Sequence, residues 1–341
     1  MKPLIKWAGG KTSELNIIER HMPQSYNRIV EPFVGGGAVF LGFESKKSVM
    51  NDFSVELIRF YQIIKSHEFE QFKAVLHQLH AERLEAINLV INDMFFEAAS
   101  KISNYKSFTK HLRKELTAKI ARIETLNLTR VVQGDSPLSH EEVSVQYRTA
   151  VTGALYYVWR EIYNEAHQAQ ALDVNHIAHW YAIKQFAFSG MTRYSASGNF
   201  NVPYAGISYD SRSLIHNFDA MEFAHDSQFF QDTEFNAGDF ETLFKKYDYF
   251  KEDDFVFVDP PYDSGFSKYN SEEDFTREDQ TRLRDTLLQT KAKVMVLVKE
   301  TDFITSLYAE HFNVIRFDKS YSVNMKNRNE KAVQHLLITN Y

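Results

Sequence analysis

The sequence holds no cysteine among its 341 residues. Disulfides and thiolate metal centres are therefore excluded, and a reducing compartment is compatible with the chain. No apolar run approaches the roughly 20 residues of a membrane-spanning helix. Lys2 is not followed by the apolar core of a secretory leader, so none is expected at the N-terminus. A soluble, cytoplasmic protein is the expectation. Glycine and proline are sparse, at 13 and 7 residues, so the places where they cluster stand out. Net positive charge is missing too, with a formal charge of −6 and a sequence pI of about 6.1. That disfavours a protein holding nucleic acid by bulk charge alone. The charge is unevenly spread, however. Lys101, Lys106, Lys110, Arg113, Lys114, Lys119, Arg122 and Arg130 face only Glu115 and Glu124 over one stretch. A second basic run holds Arg316, Lys319, Lys326, Arg328 and Lys331. Taken alone, each run is most simply a solvated face.

What is present is enough for a large core: 44% of residues are hydrophobic, and the length suggests about two domains. Strand patterns sit at the two ends, at Arg28–Glu31, Ser48–Asn51, Thr233–Asn236, Phe255–Val258, Val294–Val298, Asn313–Phe317 and Gln334–Thr339. Helical patterns alternate with them at Ser13–His21, Ala38–Ser45, Val55–Lys65, Arg277–Thr290 and Phe303–His311. Such alternation implies an α/β domain with a mostly parallel sheet. From about Val55 to Ala187 the chain is charged and helix-patterned. The following stretch, to Gly206, is polar, aromatic and glycine-punctuated, and reads as loop or hairpin. The expected organisation is one α/β domain, 1–55 with 228–341, split by a mainly helical insertion, 56–227, that carries a β-hairpin at 188–206.

The glycine clusters lie at strand ends. Glu31-Pro-Phe-Val-Gly-Gly-Gly37 follows the first strand and opens a helix, a turn in which a ligand can approach the backbone. Gly35 and Gly37 match the first two positions of the dinucleotide pattern, but Phe40 stands at the third, so a dinucleotide site is disfavoured. Ala8-Gly-Gly-Lys-Thr12 is not a P-loop, because Ile5 occupies the position that would need glycine. Lys11 could instead place a cation against a carboxylate. Asp52 ends the second strand about 15–20 residues past a glycine turn, where an acid commonly takes ribose hydroxyls. Asp239 and Phe240 follow the Thr233 strand, where an acid and an aromatic could hold an adenine by edge and face.

The stretch Phe255-Val-Phe-Val-Asp-Pro-Pro-Tyr262 is a buried strand stopped by prolines. It leaves Asp259 and the Pro260 carbonyl as two nearly fixed acceptors at the rim where open α/β sheets bind ligands. Two acceptors gripping both hydrogens of an exocyclic amine would free its lone pair for attack on an electrophilic methyl. The nearby anion would stabilise charge developing on that nitrogen. Tyr262 would stack on the heterocycle. The rest is proximity and orientation, with no metal required.

Lys6-Trp-Ala-Gly-Gly-Lys11, Glu31-Pro-Phe-Val-Gly-Gly-Gly37 and Asp259-Pro-Pro-Tyr262, in that order, resemble the Dam-type, alpha-group DNA adenine-N6 methyltransferases. The resemblance covers both ends of the chain and Phe188–Gly206. It implies a Rossmann-like, S-adenosylmethionine-dependent methyltransferase fold with a mostly parallel seven-stranded sheet, split by a DNA-recognition insertion. It implies methyl transfer to N6 of a flipped adenine in double-stranded DNA, without a metal. By position, Trp7 and Lys11 would hold the amino-acid end of S-adenosylmethionine. Phe33 and Gly35 would line its pocket, Asp52 would bind the ribose, and Asp239 with Phe240 would contact its adenine. Asp259, Pro260 and Tyr262 would be catalytic, with Asp259 also near the methionine moiety. Lys6, Phe188, Ser189, Met191, Arg193 and Pro203 would face DNA, with Phe188 or Met191 as a wedge and Arg193 reading guanine. Similar proteins often carry Tyr-Asn-Gly where this chain has Phe188-Ser-Gly190. A monomer is expected, with a cognate restriction endonuclease as partner in a restriction-modification setting, or a housekeeping or phage role. The competing readings are methylation of RNA adenine or protein glutamine, and a catalytically inactive DNA-binding protein.

Overall fold

A computed structural model describes residues 1–91, 110–263, 275–320 and 332–341. The chain forms two compact units. The first comprises Met1–Leu4, Gly9–Lys65 and Phe223–Tyr341; the second comprises Ile5–Ala8 and Ser66–Glu222.

The first unit is built on seven strands: β1 (Arg28–Glu31), β2 (Ser48–Asp52), β3 (Thr233–Ala237), β4 (Asp254–Val258), β5 (Lys293–Lys299), β6 (Asn313–Ser320) and β7 (Ala332–Thr339). Their order is β3-β2-β1-β4-β5-β7-β6. β1 to β5 pair in parallel, and β7 runs antiparallel to both β5 and β6. All five residues of β4 and the central five of β5 are buried. The apolar runs Phe255–Val258 and Val294–Val298 within them suit a parallel sheet covered on both faces. The helix Arg277–Gln289 supplies part of one cover. It starts at a capping box made by Thr276 and Asp279, and turns Gln280, Leu283, Thr286 and Leu287 inward. Leu283 and Leu287 join Phe240, Phe244, Val256, Val258, Val296 and Ile338 in one core. Each such side chain contributes about 1.5–3 kcal/mol when fully buried.

The chain proceeds outward from β1 through β2 to β3, then returns to β4 on the other side of β1. Strand order therefore reverses between β1 and β4, the switch point at which open α/β sheets bind ligands. The register Ile29↔Phe255 and Val30↔Val256 sends the Glu31 turn and the Asp259 turn off the same rim.

The second unit is helical, with Phe69–Ile91, Lys110–Val132, His140–Gln168 and Val174–Phe186. Its long segment runs Ser66–Glu222 where the sequence pattern predicts 56–227, and Ile5–Ala8 joins it; the helix Val55–Lys65 packs with the first unit. There Lys65 Nζ donates to the Thr233 carbonyl at 2.7 Å and Gln62 to that of Phe235 at 3.4 Å. The helix Val174–Phe186 is capped by Asp173 and buried over almost its whole surface, as a central core helix must be. The expected β-hairpin is an irregular antiparallel loop. Only the isolated bridges Ala187↔Tyr204 and Tyr194↔Phe200 form. The ladder is interrupted because Ser189 and Gly190 take φ of 54° and 65°. Backbone bonds from Phe188 to Pro203, Asn201 to Arg193 and Ser195 to Asn199 close the loop.

Lys101 and Lys106 of the first basic run, and Lys326, Arg328 and Lys331 of the second, lie outside the described residues. Other members serve internal contacts. Lys119 sits 5.4 Å from the Tyr157 ring centroid, Arg130 donates to the Ser136 carbonyl, and Arg316 pairs with Glu300. No helix among the described residues is long and apolar enough to cross a membrane.

Candidate active site

The end of β2 ties three turns of the first unit together. Asn51 Nδ2 donates to the carbonyls of Pro32 at 3.0 Å and Gly238 at 2.9 Å. Asp52 Oδ2 accepts from the Gly35 N–H and Oδ1 from the Ser54 N–H, at 2.9 and 3.0 Å. Burial raises the Asp52 pKa, and these backbone donors oppose the rise. The glycine turn after β1 is thus fixed by the next strand. Gly37 has φ 70°, and a Cβ there would lie 2.9 Å from Tyr61 Oη. Both conformation and space require glycine at that position.

Asp259 leaves β4 with its carboxylate against Lys11, Nζ to Oδ2 2.5 Å, and Lys11 also donates to the Gly9 carbonyl at 2.7 Å. Lys11 is only 3% exposed, against 20% for the Asp259 side chain. The same ammonium lies 5.2 Å from the Tyr262 ring centroid. Pro260 is buried. Gln280 Nε2 holds the Pro261 carbonyl at 2.7 Å, and the His335 ring meets the Tyr262 ring edge-on at 5.8 Å. The tetrapeptide is therefore braced from the helix Arg277–Gln289 and from β7.

Glu31 faces this cluster from the end of β1. It is 2% exposed, and Oε1 has no hydrogen-bond partner among the described residues. Its pKa stands well above the carboxylate range. Burial is the main cause and the charge of Asp259 the second, opposed by a bond from the Phe40 N–H. Burial thus favours the protonated form of Glu31, and a facing cation would favour the ionised one.

Beyond the glycine turn, Phe33 packs against Phe240 at 5.5 Å and edge-on against Phe275 at 5.6 Å. Phe240 is buried at 2% exposure, with the Arg282 guanidinium 4.5 Å from its ring centroid. Asp239 caps the helix Phe240–Lys246 and is held in a two-toothed pair by Arg282, at 2.8 and 2.9 Å. Asp239 foremost, then Asp279 and Glu241, raise the Arg282 pKa. The acid expected to meet an adenine edge thus already has a cationic partner.

The remaining residues singled out from the sequence fall in the second unit. Trp7 packs 6.3 Å from Trp180, and Lys6 donates to the Tyr209 hydroxyl at 2.8 Å. Phe188 is 39% exposed, Ser189, Arg193 and Pro203 are exposed, and Met191 is half-buried. The Arg193 fork is laid along Asn201, Nε to Oδ1 2.6 Å and Nη2 to the carbonyl 3.1 Å.

Sequence reasoning missed Gln280, Arg282, Glu31 as a site acid, Phe275 and Lys184. Lys184 had a visible signal: it is the only Lys, Arg, Asp or Glu between Val174 and Phe188. Gln280 and Arg282 sit in a helix of mixed charge and carried none.

A seven-stranded sheet in this order, with a glycine turn after β1 and Asp-Pro-Pro-Tyr after β4, defines a Rossmann-like methyltransferase core. The family model described as D12 class N6 adenine-specific DNA methyltransferase matches residues 7–323, and the chain belongs to that family. It is 25% identical over 346 residues to the type II methyltransferase M.CviBI of Paramecium bursaria Chlorella virus NC1A, covering 100% of both chains. It is 26% identical to the type II methyltransferase M.MjaIII of Methanocaldococcus jannaschii, covering 100% of this chain and 99% of the relative. It is 23% identical to a DNA adenine methylase of Vibrio cholerae, covering 96% of this chain and 93% of the relative.

Proposed function

We propose that this protein transfers a methyl group from S-adenosylmethionine to N6 of an adenine flipped out of duplex DNA, at one short target sequence. The observation that carries the reading is the Asp259-Pro-Pro-Tyr262 turn, held at the β1/β4 switch point with Lys11 and Glu31 beside it.

The charges around Asp259 fit an amino-acid zwitterion. Lys11 offers a buried ammonium to a carboxylate. Glu31 offers a buried carboxyl oxygen without a partner, which an α-ammonium would satisfy and ionise. Phe33 and the fixed Gly35 turn would border the nucleoside, with Asp52 at the ribose. The carboxylate of Asp52 accepts from the backbone N–H groups of Gly35, Phe53 and Ser54 and retains capacity for a hydroxyl. Asp239 reaches an adenine edge only by sharing Arg282. Bound there, S-adenosylmethionine supplies an electrophilic methyl on a sulfonium.

The rest of the chemistry belongs to the chain. Lys11 can pass its bonds from Asp259 to the incoming carboxylate, releasing Asp259 for the substrate amine. Asp259 and the Pro260 carbonyl then take the two N6 hydrogens and orient the lone pair. The N6 lone pair would take the methyl, the C–S pair would stay on the departing thioether sulfur, and Asp259 would accept the surplus N6 proton and pass it to water. Tyr262, steadied by His335, stacks on the base. This repays part of the few kcal/mol that extrusion costs. Phe188 or Met191 supports the opened duplex, Arg193 reads guanine once it leaves Asn201, and Lys6 with the basic stretch at 101–130 meets phosphates. The likeness to type II methyltransferases supports a cognate restriction endonuclease and a cytoplasmic setting, bacterial or phage-encoded. One strand at a time needs only a monomer.

The test is labelled methyl transfer from S-adenosylmethionine to unmethylated DNA, with nucleoside analysis and mapping of modified sites. N6-methyladenine in one short sequence supports the reading. Labelled RNA or protein with unlabelled DNA overturns it.

A further inference from the structure

Lys184 belongs to none of the chemistry above. It is 1% exposed, on a helix buried over almost its whole surface. Its Nζ donates to the Gly190 carbonyl at 2.9 Å and to Thr192 Oγ1 at 2.5 Å, and lies 4.4 Å from the Trp7 ring centroid. Among the described residues no carboxylate pairs with it. Burying a cation against neutral partners is costly, and burial, aided by the charge of Lys6, lowers its pKa to about 7. An apolar side chain of similar volume would fill the site without that cost. Its presence is explained by what it holds.

What it holds is the turn Phe188–Thr192. Ser189 and Gly190 are consecutive left-handed residues, at φ 54° and 65°, a conformation that disfavours serine. Gly190 is pressed against Lys6, whose side-chain carbons lie 3.1–3.3 Å from where a Cβ would stand. The turn drives Phe188 and Ser189 outward while its inner carbonyl and the Thr192 hydroxyl converge on one ammonium. Arg193 follows directly, so its starting point is set by the same contacts. We infer that Lys184 is a positioning residue for target recognition, a buried clamp that fixes the Phe188–Arg193 turn in the shape that reads DNA. The inference rests on the proposed assignment of Phe188 and Arg193 to DNA.

The experiment is steady-state methylation of a cognate duplex and its single-base variants, with cofactor affinity measured by calorimetry. The proteins are wild type, Lys184→Met, Lys184→Gln, Thr192→Val and Arg193→Ala. Losing a bond to a charged group predicts that Lys184→Met raises the DNA KM about tenfold and lowers base discrimination about as much. Its kcat stays within about twofold of wild type, since no reacting atom is touched, and cofactor affinity changes less than the DNA KM, because Lys184 meets that site only through the Trp7 ring. Lys184→Gln, which keeps a donor, restores part of the loss. Thr192→Val moves KM and discrimination in the same direction, by about threefold, and decides the matter should Lys184→Met fail to fold. Wild-type KM and discrimination in Thr192→Val and Lys184→Met, with Arg193→Ala defective, would overturn the role of Lys184 alone. Unchanged discrimination in Arg193→Ala would instead overturn the recognition reading on which the inference stands.

Discussion

Lys11 in the first unit and Lys184 in the second are 3% and 1% exposed, yet their charges are met in different ways. Lys11 is paired with a carboxylate, Asp259, at 2.5 Å. Lys184 has a carbonyl, a hydroxyl and an indole face. A cation held by a carboxylate can exchange that partner for another anion with little change in local electrostatics. A cation held by backbone cannot leave without releasing the turn it shapes. The first arrangement suits a site where a charged ligand comes and goes. The second suits a surface whose shape must persist.

The largest effect that would break this contrast is at Asp259. Asp259→Ala is expected to lower the single-turnover methylation rate by about 10²–10³-fold, the usual cost of removing a group aimed at developing charge, with DNA binding retained. Next, Lys11→Met should weaken S-adenosylmethionine binding by roughly 10–100-fold, as for other lost bonds to a charged group. Calorimetry checks this, and Lys184→Met, which meets the cofactor site only through the Trp7 ring, should weaken the same affinity far less. Equal losses from both lysines would erase the distinction. Arg193→Ala should cost about 1–3 kcal/mol of discrimination at one base position, read from cognate and variant duplexes. Gln280→Leu frees the Pro261 carbonyl and should lower kcat by roughly tenfold, a small misplacement of the reacting group, with cofactor affinity kept.

The smallest effect is in pH dependence. Lys184 titrates at about 7 in the folded protein, against 10.5 for an ordinary lysine. Its burial penalty is full below about 7 and fades as pH rises toward 10.5, because the unfolded chain binds the extra proton in that window. Glu31 has the opposite sign: its folded pKa is raised. The stability it contributes is fully present below its ordinary pKa and is lost as pH rises through its folded pKa. Thermal melts should therefore show Lys184→Met losing ground to wild type from pH 7 to 9, and Glu31→Gln gaining on wild type as pH rises above the ordinary glutamate value. Each slope is at most about 1.4 kcal/mol per pH unit.

The α/β unit was the more legible in the sequence. Every predicted strand is present, because apolar runs such as Phe255–Val258 punctuated by Pro260 and Gly35 have few other solutions. Helix ends were less legible. The helix from Ala38 stops at Phe43, before the predicted Ser45, because Glu44 turns left-handed at φ 48°. Residues carrying a motif were found, whereas their supports were not. Gln280 reaches Pro261, and Arg282 reaches Asp239, across 19 and 43 positions, and no local pattern encodes such a contact. The glycines and aromatics of 188–206 signal a reversal, which as a pattern is indistinguishable from a hairpin. The bond from Lys184 to Gly190 that shapes it depends on a buried helix face.

The central claim is that Asp259, freed from Lys11, orients the N6 amine of an adenine for methylation. The most direct measurement compares wild type with Asp259→Ala at saturating S-adenosylmethionine. Unmethylated genomic DNA is the substrate, and N6-methyladenine is quantified by nucleoside analysis. The account predicts N6-methyladenine at one short sequence with wild type and almost none with the variant, both proteins binding the cofactor. A variant that methylates adenine at near wild-type rate would contradict it.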